Sequence, residues 1–331
     1  MRSFVLRRVL HILPVLFGIS LLVFLMLRLI PGDPVKIMLG ERASPKEVAQ
    51  LRAELGLDRP LPLQFVGYLG QVAQGDLGRS IVRNTPVRED LGYTFPATIE
   101  LACAAMLIAS LVGVGLGSLA AVKRNSFWDA ACGALSLLGV SIPIFWLGLM
   151  LLLIFPSTLG WFAFSGRSEA TFATPTGFYL IDSLMSGNPA NFLDVLRHLV
   201  LPAITLSTVP LAMIARMTRS ALIEVLAQDY IRLARAKGLP WLTIWWRHAV
   251  PNAMIPVVTV IGLQFGYLLG GAVLTESVFQ WPGLGNLVVD AVRQRDYPVV
   301  QGGILLISAT FCLVNLLVDL AYAWLDPRVT S

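Results

Sequence analysis

The residue types that most often bind metals or form covalent intermediates are few in this sequence, and they are not grouped. Its three cysteines and three histidines have no spacing typical of a zinc site or a disulfide framework. They are Cys103, Cys132, Cys312, His11, His198 and His248. No G-x-x-x-x-G-K-[ST], H-E-x-x-H or G-x-S-x-G motif occurs. The sequence therefore predicts no catalytic residue and no metal site in this chain.

A second kind of candidate consists of polar residues inside or next to long apolar runs. Gln264, Glu276, Asn315 and Asp319 have this position, and such residues often mark a solute pathway through a membrane protein. Asn315 and Asp319 are four residues apart, so they share one face of a helix; hydrogen bonding to a neighbouring helix is the alternative role. Glu276, like Glu100, lies at the end of an apolar run, where it could bind an ammonium group or simply meet water.

The third candidate is the basic stretch "DYIRLARAKGLP", residues 229–240. Its cations are Arg232, Arg235 and Lys237, near the end of a predicted helix, where they oppose the negative end of the helix dipole. Gly238 has the position of a C′ residue, and Pro240 prevents continuation. The spacing predicts an apolar face made of Leu222, Leu226, Tyr230 and Leu233. Either the stretch is an ordinary positive loop, or it is a helix that docks into a partner.

The elements that must position these residues are long and apolar. The chain of 331 residues is 56% hydrophobic and only 14% charged, with a mean hydropathy of +0.73. This composition predicts an all-α integral membrane protein that is embedded in a lipid bilayer. Six apolar runs are long enough to predict six transmembrane helices, at about 9–30, 97–122, 130–155, 199–217, 252–275 and 299–325.

The distribution of basic residues predicts the orientation of these helices. With both termini in the cytoplasm, the cytoplasmic segments carry twelve Lys and Arg residues, and the two shorter external segments carry four. The basic stretch then lies in the cytoplasmic loop between the fourth and fifth helices. The predicted organisation begins with an N-terminal helix (1–30) and an external segment with short helices (31–95). A core that contains the loop (96–325, loop about 216–251) and a cytoplasmic tail (326–331) follow.

The external segments and the glycines add local predictions. Ser44 is a predicted N-cap with Glu47 at N3, and Gly56 closes the helix that follows. The sequence "WPGLG" (281–285) predicts a rigid turn where a gate could lie. The G-x-G spacing of residues 113–117 indicates close helix packing rather than a nucleotide site, because no strand precedes it.

The basic stretch resembles the EAA loop of the membrane subunits of ABC importers. Ala234, Gly238 and Pro251 match the signature, whereas Arg232, Leu233, His248 and Val250 depart from it as in the peptide-transporter branch, which typically reads "ARAKGL". The resemblance to the B-type permeases of dipeptide and oligopeptide importers extends along nearly the whole chain. It rests on "RLIPGDP" (28–34), "LGLDRPLPLQF" (55–65), "GDLGRS" (75–80), "RMTRSALIEVL" (216–226) and "TESVFQWPGLGNLVVDAVRQRDYPVVQGG" (275–303).

This resemblance implies a type I ABC importer permease in a prokaryotic inner membrane, which forms half of a pathway for dipeptides or short peptides. The implied ATPase-coupling residues are Arg232, Ala234, Arg235, Lys237, Gly238 and Pro251. The implied partners are a second, homologous permease, two cytoplasmic ATPase subunits and a periplasmic or lipid-anchored substrate-binding protein. ATP and Mg would be bound by the ATPases, so this chain is expected to have no cofactor and no enzymatic activity, and no nucleic-acid partner is expected.

Alternatives stay open at this point. The solute could be a longer peptide, glutathione, a nickel complex or haem. A stand-alone secondary transporter or channel is a second class, although the membrane-centre positions are nearly all apolar and such proteins usually carry ionisable residues there. A membrane-embedded enzyme is a third class, and it lacks a recognisable nucleophile–base pair.

Overall fold

The protein is described by a computed structural model that covers residues 2–29, 35, 44–54 and 56–325. Within these ranges the regular structure is helical, and an isolated bridge joins Arg79 to Pro86. The helices are α1 Arg2–Leu29, α2 Pro45–Glu54, α3 Leu61–Ala73, α4 Val87–Val122, α5 Phe127–Ser141, α6 Ile144–Leu152, α7 Tyr179–Met185, α8 Pro189–Leu226, α9 Asp229–Ala236, α10 Trp241–Ile244, α11 Val250–Gly271, α12 Val273–Val278, α13 Leu284–Gln294 and α14 Tyr297–Leu325. Two π-helical segments, Leu153–Leu159 and Trp245–Ala249, follow α6 and α10.

Five stretches of helix in the described part of the chain are long and apolar enough to cross a membrane. They are Leu10–Leu29, Val87–Val122, Pro189–Leu226, Trp241–Gly270 and Tyr297–Leu320, and each overlaps a predicted run. The predicted run 130–155 differs, because α5 and α6 meet at a bend of 98°. Pro143 has no N–H group and disfavours the helical conformation of the residue before it; Ile142 is accordingly extended, at φ −80° and ψ 126°.

The core of the bundle is built on the long contact between α4 and α8, and glycines allow the close approach. A Cβ added to Gly113 would lie 2.9 Å from the carbonyl oxygen of Leu211, and one added to Gly117 would lie 2.4 Å from that of Ala215. Either contact is too short for a side chain. The prediction that the glycines of this stretch serve packing is therefore confirmed for Gly113 and Gly117, whereas Gly115 faces open space.

A second buried cluster joins α1, α13 and α14 to the start of α4, at Val87 and Leu91, and to Leu77 in the segment before it. The carboxylate of Asp296, at the start of α14, accepts hydrogen bonds from the Ser80 hydroxyl and, at 3.0 Å, from the Ile81 N–H. In the same region, a Cβ added to Gly78 would lie 3.5 Å from the Cβ of Pro298. Two of the sequence fragments that carry the resemblance, "GDLGRS" and "QRDYP", therefore meet in space.

Helix α2 begins and ends at the signals in its own sequence, and Gly56, which follows it, is left-handed at φ +66°. The Glu47 carboxylate accepts hydrogen bonds from the Ser44 N–H and hydroxyl, both at 2.8 Å, which confirms the predicted capping box. Arg28, at the end of α1, donates to Gln64 of α3 at 2.9 Å. Residues 30–34 of the fragment "RLIPGDP" and the predicted tail 326–331 lie outside the described residues.

Candidate functional site

The basic stretch forms α9, a two-turn helix whose end is built by its own sequence. The N–H of Gly238 donates to the carbonyl of Arg235 at 2.9 Å, and the N–H of Leu239 donates to the carbonyl of Ala234 at 3.3 Å. These two bonds form a Schellman motif, which requires a left-handed residue at C′. Gly238 has a φ of +75°, and a Cβ there would meet nothing within 4 Å. Position 238 therefore favours glycine because of its left-handed backbone conformation, and not because space for a side chain is lacking.

The predicted apolar face is not continuous, because it is divided between two helices. Ile231 and Ala234 are buried against Ile244 of α10, whereas Tyr230 and Leu233 are exposed. The prediction assumed that one helix continues from Leu222 through Leu233. In the structure α8 ends at Leu226 and Gln228 is extended, at φ −68° and ψ 149°, so the break changes which residues share a face.

The residues left uncovered form a surface that combines positive charge with apolar side chains. We define the α9–α10 surface as Tyr230, Arg232, Leu233, Arg235, Lys237, Trp241, Leu242 and Trp246, all of which are exposed. Arg232 contacts Asp229 at 3.4 Å, and the guanidinium of Arg235 lies 5.6 Å from the ring centre of Trp241. Such a surface suits a partner cleft with acidic and apolar walls. Pro251 lies apart from it, exposed in the first turn of α11.

The predicted pathway residues of the last helix point to different neighbours. Asn315 faces α11, where its Oδ1 atom would be 3.7 Å from a Cβ on Gly266, and this buried oxygen has no hydrogen-bond partner among the described residues. Asp319 binds Arg8 of α1 at 2.9 Å. Gln264 is half-buried on α11. Their roles in a pathway stay predictions, and Asp319 also joins two helices.

Glu276 has no contact with solvent in this conformation. Its carboxylate accepts hydrogen bonds from the Thr98 hydroxyl at 2.7 Å and the Asn286 N–H at 2.8 Å. Burial raises the pKa of this carboxyl above its ordinary value, while the bonds from Thr98, Asn286 and the Gly285 backbone oppose the rise. A Cβ on Gly283 would lie 2.1 Å from the carboxylate. The buried Glu276 carboxylate thus packs against the predicted rigid turn at 281–285 and stabilises it.

A buried ion pair was not predicted from the sequence. Arg167, in the loop before α7, donates to Glu100 of α4 at 2.6 Å, and their side chains are 2% and 3% exposed. The guanidinium also lies 3.7 Å from the ring centre of Tyr179, and Glu100 accepts the Leu180 N–H at 2.6 Å. The apolar run around Glu100 signals an unusual carboxylate, but its partner lies 67 positions away in an irregular loop.

Comparison with known proteins identifies the family of this chain. Residues 113–331 match the model of the binding-protein-dependent transport system inner membrane component, and residues 1–102 match the N-terminal model of such membrane components. The chain is 51% identical over 332 residues to the di/tripeptide transport system permease protein of Pseudomonas aeruginosa, with 99% of each chain covered. It is 51% identical over 335 residues to the dipeptide transport system permease protein of Escherichia coli strain K12, again with 99% of each covered.

A glutathione transport system permease protein of Salmonella choleraesuis is 41% identical over 329 residues, with 99% of each chain covered. Among solved structures, an inward-facing MetNI methionine ABC transporter matches with a TM-score of 0.53 and 17% identity. That match covers 70% of this chain and 93% of the other, and at this identity it supports the fold alone.

Proposed function

Because the chain belongs to the family of inner membrane components of binding-protein-dependent transport systems, we propose that it forms half of the translocation pathway of an ATP-driven importer of dipeptides. The substrate class is supported by full-length relatives at 51% identity that are named for dipeptide or di- and tripeptide transport. Glutathione, itself a small peptide, is the second candidate, because a permease named for it is 41% identical.

The proposed topology has six spans, with the bent pair α5 and α6 as the third and both termini in the cytoplasm. It is supported by five clear spans in the described residues. It is also supported by the number of Lys and Arg residues in the loops that it assigns to the cytoplasm, which is greater than in the two shorter external loops. It places α9 and α10 at the cytoplasmic face, and it places the Glu100–Arg167 and Glu276 clusters at the external face.

The α9–α10 surface is the proposed docking site for a cytoplasmic ATPase subunit. The observation that carries this role is the Schellman-terminated α9, which presents Arg232, Arg235 and Lys237 outward. Its buried side, Ile231 and Ala234, packs on Ile244 and is continuous with Leu226 at the end of α8. A displacement of α9 would therefore be passed to the long helix α8.

In the proposed mechanism this chain supplies mechanical coupling and the partners supply the chemistry. Two ATPase subunits bind and hydrolyse ATP with Mg, and their closure moves each coupling helix together with its cleft. The bundle then switches between inward-facing and outward-facing states. A second permease subunit completes the pathway, and a substrate-binding protein delivers the peptide to the external face.

The test of coupling is a substitution at Gly238 with a matched control at Gly75. Both glycines are left-handed, with φ values of +75° and +78°, and neither has an atom within 4 Å of an added Cβ. Cells carrying the full transporter with Gly238→Arg should lose uptake of labelled dipeptide and co-purify little ATPase, while the amount of inserted chain persists. Gly75→Arg should retain both. Normal uptake of dipeptide in the Gly238→Arg variant would contradict the docking role of the α9–α10 surface.

The test of topology uses a reporter at the C-terminus. Green fluorescent protein fused after residue 331 should fluoresce, because it folds in the cytoplasm, and alkaline phosphatase at the same place should be inactive. The reverse result would overturn the proposed orientation and would leave the membership of the family unchanged.

A further inference from the structure

A cleft of about 630 Å³ opens where α4, α5 and α8 meet, next to the turn that joins α4 to α5. Its lining divides into two parts. Polar groups surround the turn, and they include Asn125, Ser126, Asp129 and Arg219. Leu137 lines the other end, about 12 Å further along α5 than Asp129. Leu116 and Arg216 lie between the two ends at one level, because Gly117 packs on Ala215. The cleft is distinct from the α9–α10 surface and from both external clusters, and the proposed transport mechanism does not use it.

The polar end of the cleft is positively charged even after its internal ion pair is counted. Arg219 of α8 donates two hydrogen bonds to the carboxylate of Asp129 of α5, at 2.6 and 2.8 Å, so these two charges neutralise each other. Arg216, one turn earlier, is exposed and has no ion pair among the described residues. Lys123 and Arg124, in the adjoining turn, are exposed as well. Three cations therefore remain to attract an anion.

The apolar end and its border have the features of a membrane boundary. Leu116 lies six residues before the end of α4, which is about 9 Å along the helix axis. Leu137 is 61% exposed, and beside the polar end Phe127 and Trp128 are 78% and 55% exposed. Tryptophan is enriched where lipid headgroups meet acyl chains. A small soluble anion would use only the charged end of such a cleft.

We propose that this cleft binds an anionic phospholipid of the cytoplasmic leaflet. The phosphate lies beside Arg216, with the Arg219–Asp129 pair as the wall of the headgroup site, and one acyl chain follows Leu116 and Leu137. The choice of occupant rests on charge complementarity at one end and on apolar lining at the other, and basic recesses between membrane helices on the cytoplasmic side suit such headgroups. The leaflet assignment rests on the orientation proposed above.

The headgroup contact is tested by native mass spectrometry of the full chain released from membranes. Wild type should retain phosphatidylglycerol in preference to phosphatidylethanolamine with the same acyl chains. Arg216→Gln should lower the retained phosphatidylglycerol about fivefold, the effect expected for one cation near an anionic headgroup. Arg232→Gln removes the same charge from the α9–α10 surface and should leave the retained phosphatidylglycerol unchanged. An equal loss of phosphatidylglycerol in both variants would indicate a general effect of charge and would overturn the proposed lipid site.

The acyl-chain contact is tested by filling the cleft. Gly133 lines it and has no atom within 4 Å of an added Cβ, so a large side chain fits there only by occupying the cleft. Gly133→Phe should expel the lipid without lowering the amount of inserted protein. Gly115 is also open but lies outside the cleft, and Gly115→Phe should leave the lipid bound. Retention of the lipid in Gly133→Phe would overturn the proposal.

Two further measurements separate this occupant from others. Millimolar inorganic phosphate should fail to displace the lipid; displacement would indicate a simple anion site and would overturn the proposal. The assembled transporter should retain the lipid, and its loss on assembly would mean that a partner chain fills the cleft, which also overturns it. Dipeptide uptake tests the proposed function separately, since lipid retention does not depend on the transported solute.

Discussion

The carboxylate of Glu276 accepts a hydrogen bond of 2.7 Å from the hydroxyl of Thr98, 178 positions earlier in the chain. The same hydroxyl oxygen accepts the N–H of Leu284 at 2.7 Å, and the second carboxylate oxygen accepts the N–H of Asn286. The indole N–H of Trp281 donates to the carbonyl of Ala97 at 2.9 Å. Together these bonds hold the turn between α12 and α13 against α4.

Removal of the Glu276 carboxylate should therefore destabilise the packing of this turn on α4. In Glu276→Ala the Thr98 hydroxyl and the backbone N–H of Asn286 lose their acceptor, and each buried group left unpaired costs about 1–3 kcal/mol. The expected result is a clear fall in the apparent Tm of the purified chain in detergent. Asp290→Asn alters a half-exposed carboxylate on the next helix and should leave the apparent Tm unchanged. Equal values for Glu276→Ala and wild type would contradict the structural role.

Titration of Glu276 should contribute to the pH dependence of the protein's stability. Because burial raises its pKa in the folded protein, the folded state binds a proton at pH values where the unfolded state has lost it. Stability should then fall as the pH rises from the ordinary value of 4.5 through the raised one. Glu276→Gln cannot titrate, so its apparent Tm should depend less on pH in that window. Parallel curves for the two proteins would rule out this contribution.

The end of α9 should tolerate substitution in the order of left-handed propensity. Gly238 has open space around its Cβ position, so the cost is the conformational one, about 1–2 kcal/mol for an ordinary residue. Asparagine accepts this conformation more readily than alanine, and valine least. Uptake of dipeptide should therefore decline from Gly238 to Asn, Ala and Val. An order that follows side-chain volume alone, with Ala above Asn, would indicate steric exclusion by a partner instead.

The close approach of α4 and α8 should make Gly117 intolerant of a single methyl group. A Cβ there would lie 2.4 Å from the Ala215 carbonyl oxygen and 2.7 Å from the Thr218 Cβ, so the helices must separate. Gly117→Ala should lower the apparent Tm and the yield of inserted protein. Gly115→Ala faces open space two residues away and should be neutral or slightly stabilising, since alanine favours helix by about 1 kcal/mol. Similar losses in both variants would contradict this packing.

The Glu100–Arg167 pair should show strong coupling in a double-mutant cycle. Either Glu100→Leu or Arg167→Met leaves one buried charge without its partner, at a cost of about 3–5 kcal/mol. The double variant removes both charges and should recover much of the loss in apparent Tm. Additive effects of the two substitutions would mean that the contact contributes little.

Much of the fold is local and could be predicted for that reason. The five clear spans follow from apolar length, because a bilayer requires about 20 apolar residues in each helix. The capping box of Ser44 and Glu47 and the C′ glycine of α9 depend on residues within a few positions. The signals for Gly113 and Gly117 were also present, since small residues in a membrane helix indicate close packing.

Prediction from the sequence was incomplete where a local pattern had more than one structural outcome. The run 130–155 is apolar enough for a straight span, yet Pro143 and the extended Ile142 bend it by 98°. The apolar face assigned to α9 assumed that α8 continues past Leu226. A break of two residues rotated the face, so that Ile231 is buried and Leu233 is exposed.

The sequence by itself determined the class of the protein, the approximate position of its spans and the shape of the helix that ends at Gly238, because these depend on composition and on interactions between near neighbours. Only the tertiary structure decided which polar groups meet: Glu276 with Thr98, and Arg219 with Asp129. Such pairs join residues about 90 to 180 positions apart, and no local pattern encodes the register between two helices that brings their side chains together.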